Sequence, residues 1–290
     1  MTPVTLQSLA LASVVGVLSG THTAIWGMYK DAIHEGFTAS RFARSVVVGA
    51  VVAVAIQIAL ALPLPAATGI IVLFGLAYAA ERGIVEVWKT FVREEDQSKY
   101  TIPMQFSVRG VPVRARHARL AAGAMYVAVV GLCLALVARA DAGPLGPPTA
   151  MRSALAGLVV GTIIAVGGAW KDAPSEGFDA LKFFRSPCLT VLFALLLSQV
   201  TDSYLQIAVA AIGYERAAAE TYKTFFFPSK PRGKFAGKPV LFPDMLERRR
   251  YFVPAYVAIW AVVIIAGAVA LRDVAARRVR DDGGHAGARS

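Results

Sequence analysis

The chain has 290 residues, 56% of them hydrophobic and 17% charged, and a mean hydropathy of +0.56. Its apolar residues fall in uninterrupted runs, which excludes an ordinary soluble domain and points to an all-α polytopic membrane protein. Two cysteines without Cys-x-x-Cys spacing and four scattered histidines exclude a disulfide framework and the common zinc sites. The net charge of +11 is distributed as at a membrane surface, not as in a nucleic-acid binder.

A hydrocarbon core about 30 Å thick needs roughly 20 helical residues. Eight segments reach or approach that length: 6–28, 45–62, 66–86, 118–139, 151–170, 187–201, 203–220 and 251–271. Met1 to Leu9 lacks a basic leader, so the first segment is expected to be a retained span. Pro63 and Pro65 fix a tight turn between the second and third segments, and Thr201-Asp202 stands in the same place between the sixth and seventh.

One charged phrase occurs twice. The first copy reads Lys30-Asp31-Ala32-x-x-Glu35-Gly36-Phe37-x-Ala39-x-Arg41-Phe42-x-Arg44-Ser45. The second, 141 positions on, reads Lys171-Asp172-Ala173-x-x-Glu176-Gly177-Phe178-x-Ala180-x-Lys182-Phe183-x-Arg185-Ser186, identical at ten of sixteen positions. A second phrase repeats at a shift of 134: Glu81-Arg82-x-x-x-Glu86-x-x-Lys89-Thr90-Phe91, then Glu215-Arg216-x-x-x-Glu220-x-x-Lys223-Thr224-Phe225. The sequence therefore predicts a first four-helix repeat over 1–140, a Pro/Gly linker over 141–150, a second four-helix repeat over 151–271 and a disordered tail over 272–290. An even number of spans per repeat places the pseudo-twofold axis along the membrane normal.

Only seven of the 30 lysines and arginines lie on the face shared by the termini, the tight turns and the linker. The positive-inside rule makes the other face cytoplasmic and puts both termini outside, in a bacterial inner or plasma membrane. The segments 92–117 and 226–250 mix aromatic and basic residues and are expected on anionic headgroups. Gly16-x-x-x-Gly20 and Gly157-x-x-x-Gly161, extended by Gly27 and Gly168, are small-residue stripes for close helix packing. They suit either a crossing of the first and fifth helices at the axis, in one chain or a homo-oligomer, or packing inside each half.

Charge within a membrane is costly and commonly functional. The expected site comprises Lys30, Asp31, Glu35, Arg44, Glu81, Arg82 and Glu86 with Lys171, Asp172, Glu176, Arg185, Glu215, Arg216 and Glu220. Glu81 and Glu215 are expected to line a polar cavity beside Arg44 and Arg185. Every acid has a base near it, which suits an anion held by arginine and lysine better than a divalent metal. A salt-bridge clasp and a cation or proton pathway remain alternatives, and His22 suits either a relay or a packing role. No cofactor is indicated. In carrying two acidic motifs on one face of two four-helix halves, the chain is similar to intramembrane prenyltransferases, in which magnesium holds a diphosphate. Asp31-x-x-x-Glu35 and Asp172-x-x-x-Glu176 lack that family's Asn-Asp-x-x-Asp core, and eight spans replace nine. A transporter of a small anionic or lipid-linked phosphate-bearing solute fits both surviving acid sets better than an enzyme acting on a phospho- or prenyl-lipid. A non-catalytic membrane subunit is the third alternative.

Overall fold

A computed structural model of the chain describes residues 3–141, 143, 146–226 and 233–287. Helix α1 (Leu6–Glu35) begins in a capping box, with Thr5 and Ser8 each satisfying the other's backbone N–H, and stops at Gly36, whose φ is 72°. The matching helix α5 (Ala150–Glu176) stops the same way at Gly177, φ 77°. Only glycine takes this backbone freely, so the repeated Glu-Gly-Phe ends both helices alike. Helices α2 (Ala39–Leu60) and α6 (Ala180–Leu197) follow at once. Asp179 caps α6 by accepting from Lys182 N at 3.1 Å, so α6 starts seven residues before the 187–201 segment predicted, with Pro187 inside it.

Ala61, in the left-handed region at φ 46°, ends α2, and α3 (Ala67–Val87) returns beside it. Ser203 opens α7 (Tyr204–Thr221), where Asp141 at the end of α4 (Arg116–Asp141) accepts Ser203 Oγ at 2.7 Å. Helices α3 and α7 each continue into a five-residue π-helical turn, Trp88–Val92 and Tyr222–Phe226. A two-stranded hairpin follows the first of these, β1 (Ser107–Val108) with β2 (Val111–Pro112), turned by Arg109 and Gly110 at positive φ. One helical turn, α8 (Met245–Arg248), leads to α9 (Val253–Gly287).

Helices α3 and α7 cross at the centre. Leu73, Ala77 and Tyr78 from one and Ile207, Ala210 and Ala211 from the other are buried, and Tyr214 Oη donates to Ile71 O at 2.8 Å across the crossing. Gly75 and Gly213 bring the backbones together: a Cβ on Gly75 would lie 2.7 Å from Ala210 Cβ. Helix α1 packs on α2 and α5 on α6, flanking this centre, and Tyr256, Ile259 and Val263 of α9 join the same core.

The glycine stripes serve these flanking pairs. A Cβ on Gly16 would meet Ala50 Cα at 2.7 Å, and one on Gly157 would meet Thr190 O at 2.6 Å. Of the two readings of the stripes, packing inside each half is the one these contacts match, and the helices that cross at the centre are α3 and α7. Gly27 and Gly168, read as extending the stripes, have nothing within 4 Å.

Among the described residues six helices are long and apolar enough to cross a membrane: α1, α2, α4, α5, α6 and the stretch Met245–Arg280, which takes in most of α9. The sequence predicts eight. The remaining two, α3 and α7, carry three charged residues each and form the enclosed centre. Outward-facing apolar residues such as Val47, Val51, Leu132, Leu136 and Ile264 are more than half exposed and make the apolar exterior such a chain presents to lipid. Helix α9 also runs further than predicted. It covers residues 272–287, with Arg277 Nε donating to Asp273 O and Arg278 reaching Gln199 Oε1 at 3.2 Å. Part of the predicted linker and residues 288–290 of the tail lie outside the described residues.

Candidate functional site

The charged phrases converge at one end of the bundle because α1 and α5 end there, α2 and α6 begin there, and α3 and α7 run into it. Their ion pairs cross between the halves. Lys30 of α1 lies 3.7 Å from Glu220 of α7, and Lys171 of α5 lies 4.0 Å from Glu86 of α3. The lysine of each first phrase thus reaches the second glutamate of the other half. Glu86 also receives Lys89 at 3.6 Å, and Glu220 receives Arg216 at 3.2 Å and Lys223 at 3.5 Å.

The inner glutamates differ. Glu81 is fully buried and chelated by its neighbour, with Arg82 Nε at 2.6 Å and Nη2 at 2.9 Å. Arg216, in the matching position, turns to Glu220 instead. Glu215 accepts Ser186 Oγ at 2.6 Å, and its Oε2 is buried without a hydrogen-bond partner among the described residues. The cause lies one helix away. The Arg82 guanidinium stands over the Trp26 ring, 5.4 Å from its centroid, whereas Gly167 occupies the place of Trp26 in the second half.

The outer acids differ as well. Asp172 and Glu176 share Lys182 at 2.7 Å each. Asp31 and Glu35 share Lys234 at 3.0 Å each, and Glu35 also pairs with Arg41. Lys234 belongs to the long basic segment expected on lipid headgroups, yet it turns inward. Tyr100 donates to Glu95 at 2.8 Å and reaches Glu35 at 3.3 Å. Burial and the two carboxylates push its hydroxyl well above the usual phenol range, which keeps it a donor. Burial raises the Glu95 carboxyl, but bonds from Lys99 and Tyr100 and the charge of Arg93 outweigh it and hold the group below its ordinary value. Residues Lys230 and Arg232 of the same segment lie outside the described residues.

Two polar cavities open among these groups. One, of about 760 Å³, is walled by the end of α1 (Tyr29, Lys30, Ile33, His34), by Asp172, Glu176, Lys182 and Arg185, by Ala218 of α7 and the π-helical turn after it (Tyr222, Lys223, Thr224), and by Arg249. The other, of about 110 Å³, holds Asp31, Glu35, Arg41, Arg44, Arg82, Lys89, Arg93 and Lys234. Arg185 lines the first cavity and Arg44 the second, whereas Glu81 and Glu215, expected to line a cavity beside them, line neither. They are held shut by Arg82 and Ser186. Arg44 lies over the Trp88 ring at 5.2 Å and Arg249 over Tyr29 at 4.3 Å.

Sequence reasoning missed Arg249, Thr224, Tyr29 and Tyr222 as cavity residues. Thr224 and Tyr222 sit in or beside the repeated Lys-Thr-Phe, which was the available signal. Arg249 was hidden in a basic run and gave none. His22 is fully buried, 3.1 Å from Tyr78 Oη and stacked on Tyr256 at 4.1 Å between centroids. It packs an aromatic cluster and touches none of the cavities. Among the described residues no three His, Cys, Asp or Glu side chains converge as metal ligands would. No family model, curated protein or solved structure matches this chain.

Proposed function

We propose that this chain is an integral membrane transporter for a small anionic or phosphate-bearing solute. It is built as two four-helix repeats related by a pseudo-twofold axis along the membrane normal, with the charged end in the cytoplasm and both termini outside. The observation that carries the proposal is the 760 Å³ cavity, whose walls come from α1 of one half and α5, α6 and α7 of the other. A site shared by two halves changes its access when they move against each other. The seam between them is made at its centre of small residues around Gly75 and Gly213. At the charged end it is crossed by the long ion pairs of Lys30 and Lys171, by Lys234 with Asp31 and Glu35 at 3.0 Å, and by Arg249 Nη1 donating to Tyr29 O at 2.7 Å. The basic excess at that end gives it the cytoplasmic side, where anionic headgroups would also meet the exposed basic residues.

Flux is the test. Purified chain in liposomes is expected to carry labelled sn-glycerol 3-phosphate saturably and to ignore uncharged glycerol. Equal flux of both, or none above protein-free vesicles, contradicts transport of anions. A reporter enzyme fused to the C-terminus is expected to signal from outside the cytoplasm, and activity confined to the cytoplasm reverses the orientation.

A further inference from the structure

We infer that the 760 Å³ cavity is a binding site for the dianion of a phosphate monoester, with the phosphate among Lys30, Arg185, Lys223 and Arg249. This rests on the anion-site part of the function proposed above, not on transport.

Cation surplus is the first ground. The wall carries five cations, Lys30, Lys182, Arg185, Lys223 and Arg249, against three acids, Asp172, Glu176 and Asp179. Lys182 bridges Asp172 and Glu176, while Lys30, Lys223 and Arg216 converge on the carboxylate of Glu220, at 3.7, 3.5 and 3.2 Å. Arg185 and Arg249 have no ion pair among the described residues. In the smaller cavity of the first half, among the described residues, every lining cation but Arg44 has its own ion pair: Arg82 with Glu81, Lys89 with Glu86, Arg93 with Glu95, and Arg41 and Lys234 with Glu35 and Asp31. Only about 110 Å³ remains there. Lys234 occupies by its own side chain what the second half leaves open.

Unsatisfied donors are the second ground. Arg185 Nε, Arg249 Nε and Thr224 Oγ1 are buried without hydrogen-bond partners among the described residues, and Thr224 is 4% exposed. All three residues wall this cavity. Buried polar groups are rarely left unpaired, so three at one cavity mark the place of an absent acceptor with several oxygens. Arg249 is already aimed, since Nη1 donates to Tyr29 O at 2.7 Å and the guanidinium lies over the Tyr29 ring.

Size and lining give the third. The volume falls in the range of small-molecule pockets, about 300–1,000 Å³, and leaves room beyond a phosphate group. Leu189, Ala218 and Phe235 supply an apolar wall for an organic substituent. That substituent belongs either to a soluble ester or to a lipid with a phosphate monoester headgroup.

The experiment uses the full chain in phosphatidylcholine nanodiscs, with calorimetry for sn-glycerol 3-phosphate and native mass spectrometry for discs doped with phosphatidic acid. Wild type is expected to bind a phosphate monoester and not glycerol. The Arg185→Gln/Lys223→Gln pair is expected to bind at least about tenfold more weakly per cation removed. The charge-matched exposed pair Arg248→Gln/Arg250→Gln is expected to bind as wild type does. Should the first pair fail to fold, Arg185→Lys, which keeps the charge and loses the fork, is expected to bind several-fold more weakly with an unchanged melting temperature. Competition by phosphatidic acid assigns the site to a lipid, and its absence assigns it to a soluble ester. Binding of neither monoester, or equal weakening by the two double variants, overturns the inference. Binding without flux leaves this site standing and removes the transport proposal.

Discussion

Glu81→Gln is expected to lower stability by about 3 kcal/mol or more, because it leaves a buried guanidinium without its counter-charge. Both Glu81 oxygens are spent on Arg82, at 2.6 and 2.9 Å, and the carboxylate has no access to solvent. Glu86, 4.0 Å from Arg82, is too far to replace it with comparable hydrogen bonds. The matching Glu215→Gln is expected to cost only about 1 kcal/mol. Its one observed bond comes from Ser186, which a glutamine oxygen can still accept, and Arg216 does not depend on it. Denaturant titration or thermal unfolding of the purified variants measures both. Equal losses would mean that the two inner glutamates do the same job despite their different partners.

Gly20→Leu and Gly161→Leu are expected to prevent accumulation of folded protein. At Gly20 a Cβ alone would approach Val46 Cα to 2.7 Å, and at Gly161 it would approach Pro187 Cα to 2.6 Å. Backbone cannot rotate out of the way as a side chain can, so each helix pair must separate. Overpacking of this kind costs about 3 kcal/mol or more and removes the close contact that holds apolar helices together in lipid. Gly168→Leu is the internal comparison, since nothing lies within 4 Å of it. Expression and melting temperature should be near wild type there and lost at the other two. Loss at all three would place the effect in helix formation instead of packing.

The gathering of both charged phrases at one end was legible in the sequence. Each phrase lies beside a helix terminus, and the Glu-Gly-Phe turn fixes where that terminus is. Partner choice was not legible. Lys30 reaches Glu220 and Lys171 reaches Glu86 only because α3 and α7 cross at the centre, a matter of packing between segments far apart in the chain. The crossing itself left a weak trace, because Gly75 and Gly213 do not correspond at the shift of 134 and so do not stand out as matched glycines.

Some differences between the halves were written in single residues. Trp26 against Gly167 redirects one arginine, which then closes Glu81 and prevents it from lining a cavity. The inward turn of Lys234 could not be read, because composition describes a basic segment without its direction. In the tail, α9 continues through Val274-Ala275-Ala276, with Arg277 Nε donating to Asp273 O.

Movement of the halves around the α3–α7 seam is tested most directly at Ala218, a small residue in the wall of the larger cavity. The exposed Cys133 and Cys188 are first replaced by serine, and Ala218→Cys is then labelled in liposomes with an impermeant maleimide from each side. At rest, labelling is expected from the basic face alone. With saturating sn-glycerol 3-phosphate, the rate from that face should fall and labelling from the opposite face should appear. Rates that stay unchanged on both sides with the solute present would contradict a transporter built on this cavity.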